Sequence, residues 1–304
     1  MPETVLVTGG TGFLGGAIIE RLVAQGRTVK ALTRSEDGAG KLRALGAEAV
    51  RGDVLDYGAL RDAMRHSRVV YHAAGVNAFC LRDPSPLFEV NVRGSSNAVQ
   101  AAADAGVRRL VYTSSAATLG EARGSHGRES SPHRGWFLSH YERSKFEAER
   151  AVLAAAHARG LEVVVVNPAS VQGPGRATGT ARLLLDYLNG KLKYVVDATI
   201  SLVDIADCIE GHLLAESRGE PGERYVLSGA TLTVRDGMQL LERLTGVDES
   251  VRSLPPALAF AAAAAAETGA RLRRRNPRVC RELVRTALYG HAYDGSRATR
   301  ELGL

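Results

Sequence analysis

The sequence predicts an α/β protein: a doubly wound parallel sheet covered by helices on both faces, followed by a smaller C-terminal lobe. Three observations point there. Residues 4–15 run from an apolar strand, Thr-Val-Leu-Val-Thr, through a turn with glycines at 9, 12 and 15 and directly into an amphipathic helix. Short β-branched runs then alternate with helical runs through residue 167, and Gly26, Gly46, Gly106 and Gly160 stand where each helix would stop and the next strand begin. Near-continuous apolar strands alternating with helices belong to a parallel sheet buried on both faces.

In order, the first helix near 14–25 carries Phe13, Leu14, Ile18, Ile19, Leu22 and Val23 at helical spacing. Strands follow at 28–33, 47–51, 68–72, 108–113 and 161–167, with helices near 56–65, 86–105 and 138–158. After Pro168 the rhythm changes: 178–190, 204–217, 233–245, 256–273 and 278–288 read as helices, with short strands near 193–196, 200–203 and 223–228. The expected organisation is a Rossmann-type nucleotide-binding domain over 1–170, with sheet contributions from about 193–228, and a mainly C-terminal substrate-binding lobe over 171–304. The near-continuous alanines of 257–266 suit a helix rather than a disordered tract.

At 304 residues the chain can bury one large core and a modest second lobe, and its 45% hydrophobic and 24% charged content fits a soluble enzyme. No run reaches the roughly 20 apolar residues of a membrane span, and no signal peptide is expected ahead of the first strand. Cys80, Cys208 and Cys280 are odd in number and widely spaced, so neither a disulfide framework nor a metal knuckle is expected, and the cytoplasm is the expected compartment. The net charge of +6 is uneven, with Arg271, Arg273, Arg274, Arg275, Arg278 and Arg281 in one stretch. That stretch is expected to be a solvated helix face; a contact for an acidic substrate, partner or membrane surface is the alternative. Neither a metal nor a nucleic acid is expected as a partner.

The glycine turn lets a backbone approach a pyrophosphate, whose charge the free N–H groups and helix dipole would hold. Gly9, Thr11, Gly12, Phe13 and Leu14 are its candidates. An NAD site usually ends the second strand with an Asp or Glu for the ribose 2′-OH. This chain has Leu32-Thr33-Arg34-Ser35 instead. A guanidinium holds a 2′-phosphate bidentately, so Arg34 points to NADP(H) over NAD(H), unless Arg34 is merely solvated and Glu36 or Asp37 takes the ribose. Asp53 and Val54 are candidates for the adenine, with helix capping by Asp53 or Asp56 as the alternative. The small residues Ala73 and Ala74 after His72 leave room for a flat cofactor, and His72 itself is expected in the core.

Tyr141 and Lys145 stand at i and i+4 of a helix and therefore on one face. A phenol is a poor base at neutral pH, and a neighbouring cation favours its anion. Such a tyrosine can pass a proton to or from a substrate oxygen while hydride moves at the adjacent carbon. Upstream, the fifth strand ends in Thr113-Ser114-Ser115, whose hydroxyls would emerge at the same sheet edge.

With these residues the chain resembles the extended or atypical branch of the short-chain dehydrogenase/reductases. The likeness rests on Thr8 to Gly15, His72-Ala73-Ala74, Asn91 within Glu89-Val90-Asn91-Val92-Arg93-Gly94, Thr113-Ser114-Ser115, Tyr141 with Lys145, and Asn167-Pro168. Through residues 167–175 and 202–207 it is most similar to dihydroflavonol-reductase-like proteins and the hopanoid-associated sugar epimerase group. The resemblance implies Tyr141 as acid/base, Lys145 as its electrostatic partner and a ribose ligand, and Ser115 as the hydroxyl orienting the substrate oxygen. It also implies Asn91 as a brace, Ser114 in a structural role and Pro168 at the start of the loop over the nicotinamide. It further implies an enzyme, and a homodimer built on the helices near 86–105 and 138–158.

Two enzymatic readings follow. One is an NADP(H)-dependent reductase or dehydrogenase acting on a ketone, aldehyde or secondary alcohol. Phe79, Leu81, Trp136 and Phe137 suggest a lipophilic or aromatic small-molecule substrate, unless they only cover core. The alternative is a nucleotide-sugar epimerase or dehydratase that retains NAD. A non-catalytic nucleotide-binding sensor is a third reading, against which the Ser115, Tyr141 and Lys145 set argues.

Overall fold

The computed structural model describes residues 3–248 and 251–304. The chain opens with β1 (Thr4–Thr8), α1 (Phe13–Ala24), β2 (Thr28–Thr33), α2 (Glu36–Ala44), β3 (Glu48–Arg51), α3 (Tyr57–Met64) and β4 (Val69–His72). A short helix α4 (Ser85–Phe88) passes through a π-helical segment, Glu89–Gly94, into α5 (Ser95–Asp104), and β5 (Arg109–Thr113) follows. Beyond a 3-10 turn at Ala116–Leu119 come β6 (His126–Gly127), α6 (His140–Arg159), β7 (Glu162–Pro168) and β8 (Ser170–Gln172). Next are α7 (Thr180–Leu188), β9 (Tyr194–Val195), β10 (Thr199–Asp204), α8 (Ile205–Arg218) and β11 (Arg224–Leu227). The chain continues through β12 (Ala230–Thr233), α9 (Val234–Thr245), β13 (Arg252–Ser253), α10 (Pro256–Leu272), α11 (Arg281–Tyr289) and β14 (Ala292–Tyr293).

Seven strands form one parallel sheet in the order β3-β2-β1-β4-β5-β7-β11. The strand order reverses between β1 and β4, where Thr8 lies opposite His72, and a ligand crevice opens beyond the carboxyl ends at that point. Side chains alternate strictly across the sheet. Val5, Val7, Val164 and Val166 pack with Ile18, Ile19 and Leu22 of α1 and Cys208 and Ala215 of α8. Leu6, Val70, Val163 and Val165 pack on the other face with Leu60 of α3, Val99 of α5 and Val152 of α6. Near-uniform Val/Ile/Leu strands are the sequence expression of this double burial. The doubly wound architecture is therefore as the sequence predicts. Of the later segments, β11 joins the sheet beside β7 and α8 packs on it, while β12-β10-β8, β13-β9 and β14-β6 form small separate pairings.

Besides short strands that the sequence reading did not include, two departures from expectation have a physical cause. The helix α2 was not foreseen, because Gly38 and Gly40 weaken its pattern. Gly38 is required there: a Cβ would lie 2.2 Å from Thr33 Oγ1, so the close approach to the end of β2 forces the residue that obscures the helix. The second departure corrects the cysteine reading. Cys80 and Cys280 form a disulfide across 200 residues of sequence, and only Cys208 is free, buried on the sheet-facing side of α8. The topology brings the loop after β4 against the start of α11, a juxtaposition that spacing along the chain does not reveal.

Candidate active site

The glycine turn is built for close approach. Gly9 takes φ +76, and a Cβ on it would lie 2.7 Å from the backbone of Ala73 and Ala74. A Cβ on Gly15 would lie 2.3 Å from Gly9 O, so this glycine lets α1 pack against the turn. Gly12 differs: its Cβ would meet only Gly9 O, at 3.2 Å, leaving an open face at the helix N-cap. No side chain caps α1 and its first turn holds no acidic residue. The N–H groups at Phe13 and Leu14 therefore face the crevice with the positive end of the helix dipole. Thr11 is exposed beside them. The open Gly12 position and the uncapped start of α1 suit the pyrophosphate of a dinucleotide.

At the end of β2, the Arg34 side chain is 76% exposed and approaches Asp53 at 3.8 Å. Ser35 Oγ caps α2 by accepting from Gly38 N at 3.1 Å. Glu36 pairs with Arg43 and Asp37 with Lys41, at 2.9 and 2.8 Å, so both acids are engaged along α2. Asp56 caps α3 through Ala59 N, which separates it from Asp53, whose Oδ1 accepts from Leu55 N at 3.0 Å. Val54 is buried against the segment at Gly94, and its carbonyl accepts from Asn97 Nδ2.

Beyond β4, His72 is a core residue. It bonds to Thr8 Oγ1 at 2.8 Å and to Ser95 Oγ at 3.2 Å, and burial lowers its pKa to about 3. Ala73 and Ala74 are held to Thr8 by their N–H groups and line the floor of the crevice. Asn91 fixes the next turn, accepting from Val76 N at 2.7 Å and donating to Val76 O and Ser144 Oγ.

Helix α6 begins at the N-cap Ser139, whose Oγ accepts from Glu142 N. This start places Tyr141 and Lys145 one turn apart over the ends of β4 and β5. Lys145 is buried, donating to Thr113 O at 2.9 Å and Tyr112 OH at 3.2 Å. Burial depresses its pKa, while Tyr141 and Glu149 pull in the opposite direction. The Tyr141 ring is half-exposed and lies against Phe79, with centroids 5.7 Å apart. Ser115 is half-buried at the head of the 3-10 turn, its Oγ accepting from Ala117 N at 3.3 Å. Pro168 ends β7, buried opposite Leu227. Of the other aromatic candidates, Phe137 packs on His133 and Phe146, and Trp136 meets Tyr289 edge-on.

Three residues were missed by sequence reasoning. Glu149 continues the Tyr141 and Lys145 face by one more turn. Its Oε2 accepts from Ser114 Oγ, Thr118 Oγ1 and Asn167 Nδ2, and its Oε1 meets Arg224 at 2.9 Å. The same i+4 spacing would have found it. Glu282 of α11 accepts from Cys80 N at 3.0 Å and His140 N at 2.6 Å, tying the disulfide loop to the start of α6. Arg176 lies in a glycine-flanked loop after β8, its guanidinium 5.0 Å from the Phe13 ring centre. Its Nε is buried without a hydrogen-bond partner, and among the described residues it pairs with no carboxylate.

The model of the NAD dependent epimerase/dehydratase family matches residues 5–228. "Sterol demethylase protein B" of Methylococcus capsulatus is 36% identical over 312 residues, covering 99% of this chain and 93% of that protein. A 4-hydroxy-2-methyl-3-oxo-4-farnesyl-3,4-dihydroquinoline-1-oxide ketoreductase of Stigmatella aurantiaca is 35% identical over 314 residues, covering 98% and 90%. Among solved structures, the crystal structure of gox2253 superposes with a TM-score of 0.85 at 31% identity, covering 99% of this chain and 92% of that one.

Proposed function

The chain belongs to the NAD dependent epimerase/dehydratase family, and from that premise we propose that it is an NADP(H)-dependent oxidoreductase. Its substrate in this reading is a lipophilic ketone or aldehyde, or the matching secondary alcohol. The observation that carries the reading is the buried Lys145 ammonium. It is fixed by Thr113 O and Tyr112 OH one helical turn from Tyr141, at the sheet edge where Ser115 emerges.

The buried Lys145 ammonium, one helical turn away, offsets the negative charge that develops at the Tyr141 oxygen as its proton leaves. In reduction Tyr141 gives its proton to the carbonyl oxygen, and Ser115 Oγ donates a hydrogen bond to the same oxygen and orients it. Bound NADPH supplies the hydride that the carbonyl carbon receives. Gly9, Gly12, Phe13 and Leu14 would hold its pyrophosphate through backbone groups, with the Arg176 guanidinium, beside Phe13, as a countercharge. Preference for the 2′-phosphate is supported by Arg34, an exposed cation at the end of β2 whose contact to Asp53 is a loose 3.8 Å, and by the engagement of Glu36 and Asp37 along α2. Lipophilic character is supported by Phe79 against Tyr141 and by relatives whose names specify a sterol and a farnesylated quinoline.

The test combines cofactor binding with NADPH oxidation over a panel of apolar ketones and aldehydes. Tyr141→Phe is expected to lower turnover by about 10²–10⁴-fold with NADPH binding retained. Arg34→Asp is expected to weaken NADPH at least about tenfold and spare NADH. Protein that purifies with tightly held NAD(H) and oxidises no NADPH with any carbonyl overturns the reading in favour of an epimerase.

A further inference from the structure

We propose that the turn joining α10 to α11 is a docking surface for anionic lipid bilayers. Over residues 267–285 seven arginines stand against two glutamates. Both glutamates are engaged: Glu267 pairs with Arg281 at 2.8 Å, and Glu282 accepts the N–H groups of Cys80 and His140. Arg273, Arg274, Arg275 and Arg278 are exposed, and among the described residues none of them pairs with a carboxylate. The C-terminal dipole of α10 favours cations here, yet it calls for no run of four, and their summed field attracts an anionic surface.

Apolar side chains choose between the anionic partners. Leu272 is 83% exposed and Val279 44% exposed, and they bracket the arginine turn. Phosphate recognition on a nucleic acid gains nothing from two protruding aliphatic groups. A bilayer accepts both parts, the guanidinium groups at the headgroups and the aliphatic groups at the acyl boundary. No described helix is long and apolar enough to cross a membrane, so the contact is peripheral.

The turn also has a fixed relation to the crevice. Its last residue, Cys280, is bonded to Cys80, and Arg82 N of the same loop donates to Asn276 Oδ1 at 3.1 Å. That loop carries Phe79, which lies on Tyr141. A bilayer under the turn therefore meets the loop bordering the substrate side. The proposal goes beyond the reductase reading and does not depend on it.

Co-sedimentation with phosphatidylcholine vesicles, with and without phosphatidylglycerol, tests it at low and high salt. Wild-type protein is expected to bind only the phosphatidylglycerol vesicles and to be released by salt. The triple variant Arg273→Ser, Arg275→Ser, Arg278→Ser is expected to bind about a hundredfold more weakly. Leu272→Ser with Val279→Ser is expected to weaken binding while leaving the salt dependence unchanged. Turnover of a water-soluble ketone without vesicles should be the same in all variants, so a failed reductase reading and a failed docking proposal give different results. Equal binding by wild type and the triple variant, no binding to anionic vesicles, or capture by duplex DNA or RNA in place of vesicles overturns the proposal.

Discussion

Opening the Cys80–Cys280 bond, by reductant or by Cys80→Ser, should destabilise the protein mainly through its unfolded state. The bond closes a loop of 200 residues. Loop-closure entropy for a ring that size is about 18 cal/mol/K, or about 5 kcal/mol at room temperature, at the upper end of the roughly 2–5 kcal/mol that native disulfides contribute. The folded state should change little, because Glu282 still holds Cys80 N and Asn276 still holds Arg82 N. Urea unfolding with and without reductant measures the difference. The single tryptophan, Trp136, suits the assay because it packs edge-on against Tyr289 of α11, with centroids 5.7 Å apart. Circular dichroism follows the helices as a whole. A thiol count on unfolded, unreduced protein supplies the independent check, and Cys208 alone should react. Three reactive thiols, together with an unfolding midpoint indifferent to reductant, would refute the reasoning. So would a midpoint that stays put after a bond shown to be closed is reduced.

Other perturbations separate local causes. Gly9→Ala must place a Cβ 2.7 Å from the Ala73 backbone at φ +76, so a loss of about 1–3 kcal/mol in stability and at least about tenfold in cofactor affinity is expected by calorimetry. Arg176→Ala should weaken NADPH and NADH about equally, unlike Arg34→Asp, which should change their ratio; unchanged titrations for Arg176→Ala would remove it from the cofactor site. Acid should also destabilise the fold through His72 and His212. Burial lowers their folded pKa values to about 3 and about 4, while an unfolded histidine titrates near 6.5. The unfolded chain therefore binds more protons below that value, so the stability is fully present above it and is lost as pH falls. Between about pH 6.5 and 5 the two together should lose about 3 kcal/mol. Equal urea stability at both pH values would show that neither histidine is held neutral.

The sheet was legible because most of its strands are rich in β-branched residues and four of them, β2, β3, β5 and β7, follow a glycine at 26, 46, 106 or 160. Burial on both faces makes Val163 to Val166 a continuous apolar run, and no tertiary knowledge is needed to read it as a central strand. What escaped notice was structure whose local signal is overridden by contact. The end of β2 demands Gly38, which hides α2, and the two-residue strands β6, β13 and β14 are too short for a period to show. The disulfide belongs to the same class. Nothing within reach of Cys80 along the chain points to Cys280, and the loop closure exists only once the lobe has docked.

The site divides along the same line. Tyr141 and Lys145 were readable because helical periodicity converts spacing into adjacency, and Gly9 and Gly12 because their neighbours fix strand, turn and helix in order. Arg176 carries no such signal; its relation to Phe13 arises from packing the loop after β8 against the start of α1. Glu149 lies between the two cases, and its position extends the chemical argument. Periodicity places it one turn below Lys145, where it holds Ser114 and Asn167 at the ends of β5 and β7. Ser115 and Pro168 are the next residues in the chain after those two. One buried carboxylate on α6 thus sets, through adjacent residues, both the hydroxyl proposed to orient the substrate oxygen and the start of the loop proposed to cover the cofactor. Replacing it by Gln keeps an acceptor but loses the charge facing Arg224, leaving that half-buried cation unneutralised. The expected result is a protein that binds cofactor with lowered turnover, and a variant with wild-type turnover would show that Ser115 and Pro168 are positioned without it.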